Sequence, residues 1–426
     1  MEALLILTSF AITLYAFRKK AYRRSVLFLF NAWWLTIFVL YSFRFLGFYS
    51  ARESTFQMYL CGIAFFFVGY ILVDSVYRRP KKKLIISDNH VKFKRSILIV
   101  LSIISIYILI RKTILAIPSW LSGGQGGLKT DIVQDGVLLL GGFWDVLYTY
   151  IARPLHIVVI IYSIILIFQK KRDQTIYLLA ILFLIFGFLS SASRFSLLEI
   201  IVSFFAYWYL FSGLSFKMLM NKYKAIGAVV VVTTLVIAVF MLESGSLGEG
   251  VYCYLCGCIP CSDINLDRLD MGQLYGLVTF NGVLRVFLQI PKLMGLVPGA
   301  WTVLDTVYEY MIRFEETTYI ADNVKYNAFV SMFTYFYADG GLFGVGLLSL
   351  LTGGFFSLIN KRAIIKPSYQ SYGMAMYLVI LVTNSMVRAQ TFLVPPVMAM
   401  VLLYFLVPQE AVMQKETLNK SYVTQV

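Results

Sequence analysis

Apolar runs long enough to cross a bilayer recur along almost the whole of this 426-residue chain. Crossing a hydrocarbon core takes about 20 helical residues. On that measure the runs predict spans near 2–17, 25–45, 57–77, 96–117, 144–168, 175–191, 196–215, 225–242, 341–359, 369–388 and 391–408. The expected fold is all-α, a polytopic helical membrane protein with about eleven transmembrane helices. Composition agrees, with 59% of residues hydrophobic and only 14% charged. A soluble domain carries about 25% charge, so this chain lacks the polar surface to coat a soluble globule. The first run has neither a basic leader nor a small-residue cleavage site, and is not read as a removable signal peptide.

The formal charge of +15 raises the question of nucleic acid, and its distribution answers it. Basic clusters sit at every second connection: "RKKAYRR" (18–24), "RRPKKK" with "KFKR" (78–95), "QKKR" (169–172), "KMLMNKYK" (217–224) and "KRAIIK" (361–366). With the tail they hold 24 of the 37 Lys and Arg residues. Lys and Arg mark cytoplasmic loops, so the alternation places the N-terminus outside and the C-terminus inside. No nucleic-acid partner is implied.

The cytoplasmic loops are short, and none carries a glycine-rich phosphate loop after a strand. Two outer segments are long, 118–143 and 243–340, and loops well beyond about 15 residues tend to be functional or disordered. The later one is rich in Tyr, Leu, Phe and Val, which argues for order. The expected division is therefore a membrane domain of about eight spans (1–242), a large extracytoplasmic loop with short amphipathic or re-entrant helices (243–340), three further spans (341–408) and a cytoplasmic tail (409–426). Within the loop, 274–297 reads as re-entrant or interfacial. Residues 301–322 read as one amphipathic helix. Val303, Val307, Tyr310, Met311 and Phe314 share one face, and Asp305, Glu309, Arg313 and Glu316 the other.

Two motifs invite chemistry and are weak on inspection. "GGQGGLKT" (123–130) has Leu128 where a phosphate-binding loop would not, and no strand precedes it. It is expected to be a flexible outer loop. "CYLCGCIPC" (253–261) holds four of the five cysteines within a stretch too short to supply two separated ligand pairs for zinc. No metal site is expected there. A disulfide between Cys253 or Cys256 and Cys258 or Cys261 is chemically permitted outside the cytoplasm. The other reading is small apolar packing residues in a turn. Cys61 lies in mid-span and reads as core.

The remaining basic residues are nine Arg and four Lys, whereas the cytoplasmic clusters hold 16 Lys and 8 Arg. Arginine's planar fork binds phosphate oxygens bidentately and keeps its charge. An arginine-biased outer face on an apolar body suits a lipid-linked phosphate or pyrophosphate. Arg153 lies within a span, where a charge is costly unless it faces a cavity or a partner. Pairing with Asp145 or Glu199 is the structural alternative. His156 shares its helical face at i+3, and Pro154 between them disturbs the helix. Arg194 and Arg388 each sit at a span end, where anchoring and catalysis are equally served. Arg52 reads as a surface anchor.

Three segments together resemble the O-antigen and capsular-polysaccharide repeat-unit polymerases (Wzy-type). The stretch from Tyr254 through Gly257, Pro260, Asp267, Gly276, Thr279 and Phe280 is similar to that family's outer-loop pattern. Asn327, Asp339, Gly340 and Gly344 resemble a second segment, with Gly341 and Phe329 departing from it. "SRFSLL" at Arg194 resembles a helix start of the family. The resemblance implies a glycosyltransferase of the bacterial cytoplasmic (inner) membrane that joins undecaprenyl-pyrophosphate-linked glycans on the outer side. It implies Arg153, Arg194 and Arg285 on the pyrophosphate with Arg313 as a fourth, and His156 or Asp339 as the base. No cofactor and no metal are implied. A chain-length regulator and a flippase are the expected protein partners. Asp339 also has a plainer role as cap of a helix beginning at Gly340–Gly341. A flippase or transporter would carry internal repeats, which are not seen. An O-antigen ligase would carry a histidine in the large outer loop, and this chain's histidines are His90 and His156.

Overall fold

In the computed structural model of the chain, residues 1–77, 88–133, 140–191, 194–213, 218, 247–269, 271–327 and 330–411 are described. They are mostly helical. Helices occupy the expected spans except 225–242, which lies outside the described residues. Four are long and apolar enough to cross a membrane: Glu53–Val76, Val91–Pro118, Phe143–Phe168 and Met332–Ile365. Val26–Ser42, Gln174–Ser190, Leu198–Ser212 and Val394–Leu406 are shorter apolar helices. The chain folds as two compact units, and these interleave in sequence rather than following one another.

The first unit comprises 1–79, 238–361 and 378–397. Its core is aromatic: Trp34 lies 5.5 Å from Tyr59 and 5.1 Å from Phe333, ring to ring. Helices Glu53–Val76 and Met332–Ile365 pack closely because small residues face each other. A Cβ at Gly69 would stand 2.0 Å from the Leu350 carbonyl oxygen, and one at Gly353 would stand 2.1 Å from that of Phe66. Close approach through glycine is how apolar helices associate in lipid, where burial gives no drive.

The described residues of the late segment form regular elements. Helices Leu247–Cys256, Cys258–Leu266, Asn281–Leu293 and Pro298–Ile312 lead to a short 3-10 turn, Arg313–Glu315. The helix expected over 301–322 therefore stops at Ile312. Strands Thr317–Ala321 and Val324–Asn327 follow as an antiparallel hairpin, Thr318 opposite Tyr326. Val307, Tyr310, Met311 and Phe314 are buried as expected, with Leu304, whereas Val303 is exposed. The 274–297 stretch is a turn followed by an amphipathic helix that exposes Phe287, Ile290 and Leu293.

Arg52 is more than an anchor. Its Nε meets Asp263 Oδ1 at 3.2 Å and its Nη1 meets Asp267 Oδ1 at 2.6 Å. Its backbone N–H also donates to Asp263 Oδ1 at 2.9 Å. It clips helix Cys258–Leu266 to the start of helix Glu53–Val76.

The second unit comprises 80–237, 362–377 and 398–426. Its central helix is Phe143–Phe168, which is mostly buried, whereas Val91–Pro118 is mostly not. A helix apolar all round belongs in the middle of a bundle, and Leu155, Val158, Ile161 and Ile165 are fully buried. The helix from Asp88 continues to Val133 through 123–130, where a loop was expected. Extending an established helix over glycine costs only about 1 kcal/mol per residue.

Candidate functional site

The chemistry-bearing residues fall into a set in each unit. In the second, Pro154 has no N–H to continue the ladder, and the preceding turn, Tyr148–Ala152, is a π-helix. The backbone N–H of Arg153 bonds the Tyr148 carbonyl, five residues back. Single π turns recur at functional sites because they re-aim the side chains that follow. Arg153 is exposed on this helix. Among the described residues no carboxylate lies within 4.0 Å of its guanidinium. Neither structural partner takes it. Asp145 accepts the backbone N–H groups of Leu140 and Gly141 at 3.0 and 2.8 Å, and Glu199 faces His156.

One turn on, His156 is buried. Its Nδ1 lies 4.0 Å from Glu199 Oε2 on helix Arg194–Tyr207. Its Nε2 has no hydrogen-bond partner among the described residues. The Phe183 ring lies 6.0 Å from it, the two planes inclined at 29°. Arg153 is within electrostatic reach of Tyr148, His156, Glu199 and Tyr377. Two more cations border the π turn: Lys112 Nζ lies 3.7 Å from the Tyr148 ring centre, and the Arg111 guanidinium 4.5 Å from that of Trp144. Sequence reasoning weighed Glu199 only as a partner for Arg153 and gave Lys112 and Tyr148 no role. Contacts between helices far apart in sequence leave no local signal. Arg194 opens its helix as expected, and its side chain lies outside the described residues.

In the first unit, helix Met332–Ile365 is broken at Gly340 (φ −173°, ψ 30°) and Gly341 (φ 59°, ψ −148°). Gly341's positive φ is a conformation that glycine adopts without penalty. The break releases carbonyls inside an apolar helix, and a turn from the late segment satisfies them. Leu274 and Tyr275 donate their backbone N–H groups to the carbonyls of Ala338 and Asp339 at 3.2 and 2.9 Å. The Asp339 carboxylate accepts three more. Gly276 and Val278 donate to Oδ1, each at 2.9 Å, and Thr279 to Oδ2 at 2.8 Å. Asp339 was expected as a base or as cap of the helix starting at Gly340. It instead clamps the 274–280 turn, and these bonds occupy both of its oxygens.

Arg285 is likewise committed. Its Nε donates to Asn281 Oδ1 at 2.7 Å, and its Nη2 donates to the Leu304 carbonyl at 3.0 Å and Asp305 Oδ1 at 2.7 Å. The rings of Trp301 and Tyr308 each lie 5.1 Å from its guanidinium. It brackets helices Asn281–Leu293 and Pro298–Ile312 together, so the expected pyrophosphate role does not fit its geometry. Arg313 is exposed and lines a cleft with Arg268. The structure thus brings Arg153 to His156, and leaves Arg285, Arg313 and Asp339 in the other unit.

The cysteines are free thiols. Cys256 and Cys258 flank Gly257 at the joint of two helices, and Cys256, Cys258 and Cys261 are buried. Burial pushes the Cys256 and Cys261 thiols up to about 12 and Cys258 well above its ordinary value. All three are held as neutral packing groups. No protein family, curated protein or solved structure matches this chain.

Proposed function

We propose that this chain is a polymerase that joins polyprenyl-pyrophosphate-linked oligosaccharide repeat units into O-antigen or capsular polysaccharide. It acts on the outer side of a bacterial cytoplasmic membrane, crossing about eleven times with its N-terminus outside and C-terminus inside. The observation that carries the reading is Arg153, an arginine with no ion pair among the described residues, in an apolar helix one turn from buried His156, whose Nδ1 lies 4.0 Å from Glu199. A charge so placed is functional by default.

The reaction needs a cation over the departing pyrophosphate and a base at the attacking hydroxyl. The acceptor oxygen bonds the anomeric carbon of the growing chain. The bond from that carbon to the pyrophosphate oxygen breaks, and its electron pair leaves with the carrier. Arg153, assisted by Arg194, Arg111 and Lys112, takes the developing negative charge in place of a metal. His156 Nε2 takes the hydroxyl proton, and Glu199 stabilises the resulting imidazolium. Asp339 and Arg285 hold the late segment in shape. A chain-length regulator and a flippase would be the partners in the membrane.

The broken helix at Gly340–Gly341 favours one rival, since discontinuous helices are characteristic of transporters. Deleting the gene separates the readings on a glycan gel. Loss of a polymerase leaves single repeat units on the lipid, because synthesis, flipping and ligation continue. Loss of a flippase or a ligase removes even those, and that outcome would end the polymerase reading.

A further inference from the structure

The late segment carries a second cationic feature, unused by the chemistry above. Arg268, Tyr310, Arg313, Phe314 and Glu316 line an open cleft of about 360 Å³. Each arginine is presented by a defined element. Arg313 opens the 3-10 turn at the end of helix Pro298–Ile312, and Phe314 beside it is buried edge-on against Tyr310 at 5.3 Å. Arg268 follows helix Cys258–Leu266, and the Tyr310 hydroxyl fixes that stretch by donating to the Arg268 carbonyl at 3.2 Å and accepting from Met271 N–H at 3.4 Å. The backbones are pinned, while the guanidinium groups make few contacts among the described residues. Arg313 makes no side-chain hydrogen bond or ion pair among the described residues, and Arg268 has one long contact, 3.4 Å to Asn265 Oδ1. Neither meets the Glu316 carboxylate within 4.0 Å.

Two arginines with no ion pair among the described residues line one cleft, and together they can take an anion. Their forks match the oxygens of a carboxylate or phosphate bidentately, and Tyr310 offers an aromatic wall. We infer that the Arg268–Arg313 cleft binds an anionic group on the glycan substrate, either the carboxylate of an acidic sugar or the phosphate of the carrier. The glycan substrate rests on the polymerase reading; the anion site does not.

Binding is therefore measured without polymer synthesis, on the full chain in nanodiscs, by saturation-transfer NMR and calorimetry. The probes are a glucuronate-containing tetrasaccharide, inorganic pyrophosphate and neutral maltotetraose. One anionic probe is expected to bind and the neutral one not. Preference for the glucuronate probe assigns the site to an acidic sugar, and preference for pyrophosphate assigns it to the carrier. Arg268→Gln and Arg313→Gln should each weaken that probe about tenfold, with unchanged thermal unfolding because both side chains are exposed. Glu316→Gln should strengthen binding several-fold by removing a repulsive carboxylate, a gain that misfolding does not mimic. Binding should fall with salt, as screening of exposed charges requires. No binding of either anion, equal binding of maltotetraose, or indifference to all three substitutions would overturn the inference. The polymerase reading would survive that result, just as inactivity in polymer synthesis would leave the binding data standing.

Discussion

Val278 donates its backbone N–H to Asp339 Oδ1 at 2.9 Å, fastening a turn of the late segment to the break in a membrane helix. With Gly276 and Thr279 donating to the same carboxylate, this is a structural clamp. Asp339→Asn places an amide N–H against backbone donors. A bond to a charged group contributes about 1.5–3 kcal/mol, so the variant should lose at least that in stability. Thermal unfolding in detergent and proteolysis near residues 272–280 measure it. A variant with unaltered melting and protection but no polymer would return Asp339 to the role of base.

Arg285 gives a parallel prediction. Lysine keeps the charge but cannot reach Asn281 and the Leu304 carbonyl with one planar fork. Arg285→Lys should destabilise the chain by roughly 2–3 kcal/mol through those two bonds. The Asp305 contact adds little, since that carboxylate is 46% exposed and surface pairs contribute about 0–1 kcal/mol. A pyrophosphate ligand would behave differently, with normal melting and slowed turnover.

The cysteines should be nearly inert. At pH 7.5 a maleimide should modify Cys253, which is partly exposed, well before Cys256, Cys258 and Cys261. Mass spectrometry before and after denaturation reads the order. Replacing the four clustered thiols with Ala should leave polymer length unchanged. Rapid labelling of Cys258 in the folded chain would contradict the burial argument.

Much of this architecture was legible because apolar runs state their own secondary structure in lipid. The Arg153–His156 pair was legible too, since i+3 spacing is a local property of a helix. Glu199 as the partner of His156 was not, because nothing local ties residue 199 to residue 156. The hairpin at 317–327 left a signal that was outweighed by the helical pattern before it. Thr317, Thr318, Tyr319 and Ile320 favour strand, and Asp322–Asn323 favours a turn. Arg285 and Asp339 were placed by residue type, and their roles depend on partners 19 to 63 residues away.

The central claim is that Arg153 neutralises a departing pyrophosphate, and reconstitution tests it most directly. The purified chain in liposomes would be given a polyprenyl-pyrophosphate-linked repeat unit, with products resolved as a ladder and released carrier quantified. The wild-type chain should yield multiple repeats and one free carrier for each bond formed. A charge-assisted bond to a phosphate contributes about 1.5–3 kcal/mol, so Arg153→Lys should slow turnover by roughly 10- to 100-fold. Arg153→Ala should slow it further, with both variants melting as the wild type does. A full ladder at wild-type rate from folded Arg153→Ala, or no ladder from the wild-type chain, would contradict the account.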